Sequence, residues 1–223
     1  MSEEEAPHST LPYPPLHQDK KFVVLSDWLW SRKTQTRKLR DSLRFDECAE
    51  VLKQNITLDV GFRDFYDYCQ EHDVPVVIIS SGMAPLIRAV LSKLIGNEEA
   101  KNIEIVANDA DVREDGSWSI KYRHPTSGFG HDKSQAILPY RRLPNAPTVF
   151  FFGDGVSDMS AARHADLLFV KKKPGADNDL AAYCTREGIP HLLFEDFGRA
   201  LNVVSQVIEG KLTIEDVLKL VTA

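Results

Sequence analysis

The sequence has few long apolar runs, so we expect neither a membrane anchor nor an export signal in it. It contains no apolar run of about 18 residues or more, and its acidic, proline-rich start has no apolar core typical of a signal peptide. We therefore expect a cytoplasmic protein without a membrane partner. The same composition predicts that residues 1–20 form a tail that is disordered or loosely docked.

Cysteine is also scarce. The three cysteines, Cys48, Cys69 and Cys184, have no spacing typical of a metal site. An odd number of cysteines without a signal peptide predicts reduced thiols rather than a disulfide framework. Cys69 falls on an apolar helical stripe, which indicates a core residue.

Positive charge is outweighed by negative charge. The net charge of −6 argues against general nucleic-acid binding. One segment departs from this balance, because Ser31–Arg44 carries six basic residues and a single acidic residue, Asp41. Two interpretations stay open for this segment, a solvated basic surface and a docking site for an anionic substrate.

The chain does contain continuous apolar strands that alternate with amphipathic helices. Strands are predicted at Phe22–Leu25, Val74–Ile79, Ile103–Val106, Thr148–Phe152, Asp166–Val170 and His191–Phe194. Helices are predicted at Phe45–Gln54, Asp59–Gln70, directly after Gly82, and at His131–Leu138, Asp158–His164, Ala176–Glu187, Phe197–Ile208 and Ile214–Val221, with a hairpin at Asp111–Tyr122. This order predicts an α/β fold, a doubly wound, mainly parallel sheet with helices on both faces.

Three of the predicted strands are followed by polar residues that can meet at one edge of the sheet. The first strand leads to Asp27, the second to Ser80 and the fourth to Gly153–Asp158. Ligands of such sheets bind at the carboxyl ends of the strands, so we expect these residues to meet at one edge. Asp154 and Asp158 offer the carboxylate oxygens that Mg²⁺ prefers, and Asp27 is a candidate both as a metal ligand and as a nucleophile.

Other residues are candidates for binding a phosphate group. Ser80 offers a hydroxyl group, and the amides of Ser81 and Gly82 lie at a predicted helix start, which favours anions. Lys133 offers a fixed positive charge for a phosphoryl oxygen. Taken singly, a strand-ending aspartate is often a helix cap and a lone lysine is often a surface residue. The order of all these features along the chain favours a phosphate site.

These motifs resemble those of the haloacid dehalogenase (HAD) superfamily, in its phosphoserine-phosphatase-like branch, from about Lys21 to Thr213. The stretches Ser127–Lys133 and Gly153–Asp158 are especially similar to fungal members of that branch. The resemblance implies a HAD-like Rossmannoid fold. It also implies Mg²⁺-dependent hydrolysis of a small phosphomonoester, a small phosphorylated metabolite, through an aspartyl-phosphate intermediate.

The resemblance also assigns roles to individual residues. Asp27 corresponds to the nucleophile and is a candidate ligand of Mg²⁺, and Ser80 corresponds to the residue that contacts the phosphate. Lys133 corresponds to the lysine of the third motif. In the fourth motif, Asp154 corresponds to a Mg²⁺ ligand and Asp158 to its acidic partner.

The first motif departs from the family pattern, which is an apolar strand followed by Asp-x-Asp-Gly-Thr. Leu29 stands in place of the second aspartate, which in the family protonates the leaving alcohol and activates the hydrolytic water. The cap-equivalent segment around residues 28–58 is also short, so we expect a reduced or absent cap. A deletion or a misplaced exon junction after Asp27 is our hypothesis for this departure.

The departure leaves three interpretations. The first is a phosphatase with impaired activity, and the second is a catalytically inactive pseudoenzyme that binds phosphate ligands or serves as an interaction module. The third is an unstable product of a truncated gene.

Overall fold

The computed structural model describes residues 8–27, 30–32, 43–128, 130–172, 175 and 178–222. The strands in these residues are β1 (Phe22–Ser26), β2 (Trp30–Arg32), β3 (Ile56–Leu58), β4 (Val76–Met83), β5 (Glu104–Val112), β6 (Trp118–Lys121), β7 (Thr148–Gly153), β8 (Leu167–Lys171) and β9 (Leu192–Phe194). Seven of them form one sheet in the order β6-β5-β4-β1-β7-β8-β9. All neighbours in this sheet are parallel except β5 and β6, while β2 and β3 pair separately in antiparallel fashion.

Helices connect the parallel strands and cover both faces of the sheet. They are α1 (Phe45–Asn55), α2 (Phe62–Glu71), α3 (Ala84–Ile95), α4 (Asn97–Asn102), α5 (Ser134–Arg141), α6 (Met159–Ala162), α7 (Asp179–Arg186), α8 (Phe197–Ile208) and α9 (Ile214–Thr222). The predicted doubly wound α/β fold is therefore confirmed.

The residues of β1 show why the strands are apolar throughout. Phe22 and Val24 belong to a core shared with α2, α3 and α8 on one face of the sheet. Val23 and Leu25 belong to a second core with α5, α6 and α7 on the other face. Successive strand residues point to opposite faces, so a strand covered on both sides must be apolar at every position.

Several predicted helices begin later than their sequence patterns indicate, and one of them concerns the predicted phosphate site. The helix expected directly after Gly82 begins at Ala84, and β4 continues through Met83. Pro85 lies in the first helical turn, where its missing N–H group would have no intrahelical partner. The amides of Ser81 and Gly82 therefore lie at a strand end rather than at a helix start, which corrects the prediction.

The described part of residues 28–58 contains α1 between β2 and β3. The start of α1 packs on the β5–β6 hairpin, where the rings of Phe45 and Trp118 are 5.9 Å apart and the Trp118 indole N–H donates to the carbonyl of Leu43 at 3.1 Å. Residues 33–42, which include most of the basic segment, lie outside the described residues. The division into a shortened cap and a core domain stays a prediction.

Residues 1–20 are predicted to form a disordered or loosely docked tail, and residues 8–20 lie against the domain. His17 Nε2 is 2.9 Å from Glu104 Oε2, and Lys20 Nζ is 2.8 Å from Asp73 Oδ1. Polar side chains make these contacts. The composition of the segment indicates how much apolar surface it can bury, so it gave no indication of these polar contacts.

Among the described residues, none of the helices combines the length and the apolar character needed to span a bilayer.

The three cysteines, Cys48, Cys69 and Cys184, are buried free thiols. Cys69 lies in the core as predicted.

Candidate active site

Asp27 follows β1 directly, at the carboxyl edge of the sheet. Its backbone N–H donates to the carbonyl of Phe152 at 2.9 Å, which continues the pairing of β1 with β7 by one residue. Since β7 ends at Gly153, this pairing brings Asp27 beside the Gly153–Asp158 loop. The Asp27 side chain is 14% exposed.

Lys133 immediately precedes α5, and its side chain is fully buried. Its Nζ lies 2.6 Å from Asp27 Oδ2 and 2.5 Å from Asp158 Oδ1, and it donates to Ser157 Oγ at 2.9 Å. A buried ammonium group requires such partners, because an unpaired charge away from water is very unfavourable. The structure thus brings two widely separated sequence motifs together through one lysine.

Asp158 organises the loop that follows β7. Its Oδ2 accepts hydrogen bonds from the backbone N–H groups of Asp154 at 2.9 Å and Gly155 at 3.1 Å, while its Oδ1 accepts from Lys133. A Cβ atom at Gly153 would lie 2.8 Å from the Asp158 Cγ. The close approach of the backbone to this carboxylate therefore requires glycine at position 153.

The acidic residues of the site fit a divalent cation. One carboxylate oxygen from each of Asp27, Asp154 and Asp158 lies within 4.8 Å of the other two. Oxygen donors at this spacing suit a hard cation such as Mg²⁺. Both oxygens of Asp158 already accept hydrogen bonds, so Asp158 mainly holds Lys133 and the loop backbone in place.

Burial and neighbouring charges set the protonation of this cluster. Burial raises the pKa of Asp27 to about 7, and the carboxylates of Asp158 and Asp154 act in the same direction while Lys133 opposes them. For Lys133, burial lowers the pKa, but the Asp158 and Asp27 carboxylates outweigh this effect and raise the pKa above its ordinary value. Lys133 therefore stays positively charged.

Ser80 lies near the carboxyl end of β4, the strand next to β1. Its hydroxyl accepts a hydrogen bond from the Gly82 N–H at 3.1 Å, and its carbonyl accepts one from His131 Nδ1 at 2.8 Å. The carbonyl of Ser81 accepts from the Asn108 side chain at 2.9 Å. Ser80, Ser81 and Gly82 thus lie at the same edge as Asp27, and their contact with phosphate stays a prediction.

Sequence reasoning missed two residues of this site. Ser157 accepts from Lys133, and the buried His131 donates to the backbone of Ser80. Burial lowers the pKa of His131 to about 3, so its ring is neutral and its Nδ1 carries the proton that the carbonyl requires. His131 lies two residues before Lys133 in the sequence, and this proximity could have identified it as a residue of the site.

Leu29 lies outside the described residues. Its correspondence to the family aspartate stays a prediction from the sequence.

Comparison with known proteins identifies the family. Residues 12–163, more than half of the chain, match the haloacid dehalogenase-like hydrolase family. The chain belongs to this family. The predicted resemblance to HAD-like proteins is confirmed.

Two yeast proteins are similar to most of this chain. Pdp3-interacting factor 1 of Schizosaccharomyces pombe is 49% identical over 164 residues, which cover 72% of this chain and 69% of the relative. The polyol phosphate phosphatase PYP1 of Saccharomyces cerevisiae is 38% identical over 183 residues, which cover 78% of this chain and 74% of the relative.

Solved structures of phosphoserine phosphatases share the fold. One is a phospho-aspartyl intermediate analogue of phosphoserine phosphatase, with a TM-score of 0.56 and 14% identity over 82% of this chain and 98% of that chain. Another is the phosphoserine phosphatase of T. onnurineus, with a TM-score of 0.54 and 17% identity over 85% of this chain and 97% of that chain. At such identities, the likeness concerns the fold alone.

Proposed function

We propose that this HAD-family protein is a Mg²⁺-dependent phosphatase that acts on small phosphomonoesters with Asp27 as the nucleophile. One observation carries the proposal. The Asp27 carboxylate, at the end of β1, lies 2.6 Å from the buried ammonium of Lys133 within a cluster of carboxylate oxygens. The proposal is supported because a carboxylate, a fixed positive charge and further carboxylate oxygens lie around one point, and phosphoryl transfer requires groups of these kinds.

The proposed reaction has two steps. In the first, a carboxylate oxygen of Asp27 forms a bond to phosphorus while the bond from phosphorus to the ester oxygen breaks, and the leaving oxygen keeps the electron pair. In the second, the oxygen of a water molecule attacks phosphorus and the bond to Asp27 breaks, which releases inorganic phosphate and regenerates the carboxylate.

The surrounding residues have distinct proposed roles. Lys133 neutralises charge on the phosphoryl group, and the Ser80 hydroxyl with the Ser81 and Gly82 amides binds phosphoryl oxygens. Asp27 and Asp154 would hold Mg²⁺, with Asp158 as their acidic partner. When bound, Mg²⁺ would reduce the electrostatic repulsion between the negatively charged phosphate of the substrate and the carboxylates of the site.

Leu29 indicates which substrates should react fastest. A leucine cannot protonate the leaving alcohol, and loss of general acid–base assistance typically lowers the rate by about 10²–10⁴-fold. An aryl phosphate has a good leaving group that needs little protonation. We therefore propose that activity is impaired for alkyl phosphates and best retained for aryl phosphates.

For the natural substrate, the name of the Saccharomyces cerevisiae relative is informative. That relative is called a polyol phosphate phosphatase and is 38% identical to this chain. We propose polyol phosphates as the first class of natural substrate to test, with the cytoplasm as the location and no nucleic-acid or membrane partner.

The replacement at Leu29 also favours a second candidate function. In this alternative the chain is a HAD-like pseudoenzyme that binds Mg²⁺ and phosphate ligands and acts as a ligand-binding or interaction module. With leucine at position 29 the chain lacks a group needed for turnover. The residues proposed to bind the metal and the phosphate are all present.

The experiment that separates the two is hydrolysis of p-nitrophenyl phosphate with and without Mg²⁺. The wild type is compared with Asp27→Asn and Leu29→Asp, and Asp64→Asn, a change of an exposed carboxylate on α2, is the matched control. If the protein is a phosphatase, we expect Mg²⁺-dependent turnover of p-nitrophenyl phosphate. Asp27→Asn should abolish this turnover, and Asp64→Asn should leave it unchanged. If the wild type is no faster than Asp27→Asn, the enzyme proposal is wrong. Recovery of activity in Leu29→Asp would then support the pseudoenzyme.

A separate measurement tests the metal site without relying on activity. Calorimetric titration with Mg²⁺ should show weaker binding to Asp154→Asn than to the wild type, again with Asp64→Asn as the control. Unchanged affinity in Asp154→Asn would remove this residue from the proposed ligand set.

A further inference from the structure

Arg123 joins the start of the chain to the loop that precedes Lys133. Its side chain is 4% exposed, and its guanidinium carbon lies 4.7 Å from the centre of the Tyr13 ring. The guanidinium donates to four acceptors, the carbonyls of Ala107 (3.1 Å), Leu11 (3.1 Å) and Pro12 (3.2 Å) and the hydroxyl of Ser9 (3.3 Å). Three of these acceptors belong to residues 9–13, which we call the N-terminal segment. A buried cation therefore fixes this segment on the domain.

His124 continues the connection from the N-terminal segment towards the active site. Its ring is fully buried, and its Nε2 lies 2.9 Å from the Tyr13 hydroxyl. On the opposite side of the ring, the backbone N–H of Asp132 donates to Nδ1 at 3.0 Å. Burial lowers the pKa of His124, which keeps the ring neutral.

These two contacts determine where the proton of His124 lies. Since Nδ1 accepts from Asp132, the single proton of the neutral ring must be on Nε2, which then donates to the hydroxyl of Tyr13. Tyr13 thus stabilises the tautomer that presents an acceptor to the Asp132 backbone.

Asp132 in turn fixes the backbone on both sides of Lys133. Its carboxylate accepts hydrogen bonds from the backbone N–H of Ser134 at 3.0 Å and from the Ser134 hydroxyl at 2.8 Å. Asp132 is therefore held by His124 at its own N–H and holds the start of α5 through its side chain. Lys133 lies between these two attachments.

We propose that Tyr13 and His124 are positioning residues, which hold the backbone at Asp132 so that the Lys133 ammonium meets Asp27 and the phosphoryl group. This inference rests on the proposed phosphatase function. The distance that matters is the 2.6 Å between Lys133 Nζ and Asp27 Oδ2. A misplacement of about 1 Å in a catalytic group can lower a rate by about 10²-fold.

The test compares variants of His124 and Tyr13 in the full-length protein. His124→Leu removes both ring nitrogens, whereas His124→Asn is similar in size to leucine and retains a side-chain oxygen that can accept from Asp132. Tyr13→Phe removes only the hydroxyl. The matched control is His17→Leu, which removes a histidine contact at the start of the chain but on the Glu104 side.

We expect His124→Leu to lower kcat for p-nitrophenyl phosphate by about tenfold with a smaller change in KM, and Tyr13→Phe to lower it less. His124→Asn should recover most of the loss, and His17→Leu should leave kcat unchanged. Thermal unfolding of each variant establishes that the assays compare folded protein. If the wild type binds inorganic phosphate without hydrolysing esters, calorimetric phosphate affinity in the presence of Mg²⁺ replaces kcat as the measurement.

Three results would overturn the positioning role while leaving the proposed function intact. The first is a kcat of His124→Leu equal to that of the wild type. The second is a loss of kcat in His124→Asn as large as in His124→Leu, and the third is an equal loss of kcat in His17→Leu. A wild-type protein that neither hydrolyses the ester nor binds phosphate would instead contradict the proposed function and the positioning role together.

Discussion

The buried ammonium of Lys133 donates to Asp158 Oδ1 at 2.5 Å, and neither side chain has any exposure to solvent. This pair connects the start of α5 to the loop after β7. Lys133 also contacts Asp27, and Asp158 also accepts from the backbone amides of the loop. Both contacts depend on the positions of these two side chains. A change at either residue should therefore affect both the stability of the fold and the shape of the site.

The first prediction concerns the loss of this buried charge. We expect Asp158→Asn to lower the free energy of unfolding by about 3 kcal/mol, because Lys133 would lose one of its anionic partners while staying buried. Urea denaturation measures the change. In the control Glu215→Gln, which breaks an exposed pair with Lys219, the change should be about 0.5 kcal/mol or less. Equal effects of the two substitutions would contradict the role assigned to the buried pair.

The second prediction concerns the close approach at Gly153. A Cβ atom there would meet the Asp158 carboxyl group, whereas a Cβ atom at Gly155 would have no neighbour within 4 Å. We expect Gly153→Ala to weaken Mg²⁺ binding by about 10-fold or more, because a displaced Asp158 releases the backbone of Asp154. Gly155→Ala should bind nearly as well as the wild type. Calorimetric titration distinguishes the two variants, and similar affinities would refute the steric explanation.

The third prediction concerns the contact between two helix starts, at Gly61 and Gly198. Gly61 has a φ of +75°, and a Cβ atom there would overlap the backbone nitrogen of Gly198. Gly188 has a similar φ of +64° but open space around it. We expect Gly188→Ala to lower the free energy of unfolding by about 1 kcal/mol, from the left-handed conformation alone. Gly61→Ala should lower it by about 1–3 kcal/mol more, from the added overlap. Thermal and urea denaturation would show whether the two differ.

The fourth prediction concerns proton release when Mg²⁺ binds. Because the pKa of Asp27 is raised to about 7, this carboxyl group is mostly protonated near pH 6 and mostly ionised near pH 8.5. A metal ligand must lose its proton, so Mg²⁺ binding should release about one proton near pH 6 and almost none near pH 8.5. Apparent affinity should rise with pH up to about 7. Calorimetry in buffers of different ionisation enthalpy counts the protons.

Asp27→Asn serves as the control for the fourth prediction. This variant should release no proton at either pH, because an amide does not titrate in this range. Buffer-independent heats for the wild type near pH 6 would show that Asp27 is already ionised without the metal.

Much of the fold was predictable because its elements have strong local patterns. The predicted bounds of α8 agree with the structure, since its apolar residues repeat at helical spacing and Asp196 accepts from the N–H of Arg199 at its start. The strand β7 is also predictable, because five of its six residues are buried and a strand covered on both faces is apolar throughout. The helix α4 and the strands β2 and β3 were missed. They are short, so a few residues carry too little pattern to identify them.

The residues of the candidate site were predictable for a different reason. Asp27 and Asp154 each follow an apolar strand, and Ser80 lies near the end of another. Parallel strands place their carboxyl ends at one edge of a sheet. The sequence alone therefore determined which strands end in carboxylate or hydroxyl groups. That Leu29 replaces the family aspartate stays a prediction from the sequence.

Only the tertiary structure decided how those groups are held. The burial of Lys133 depends on Asp27 and Asp158, which lie far from it in sequence, and sequence spacing says nothing about such contacts. The docking of the N-terminal segment depends on Arg123 and His124, which are more than a hundred residues away along the chain. Local patterns determine strands and helices, since neighbouring residues share one backbone periodicity. Contacts between distant polar side chains have no periodicity, and they form only when the folded chain brings their partners together.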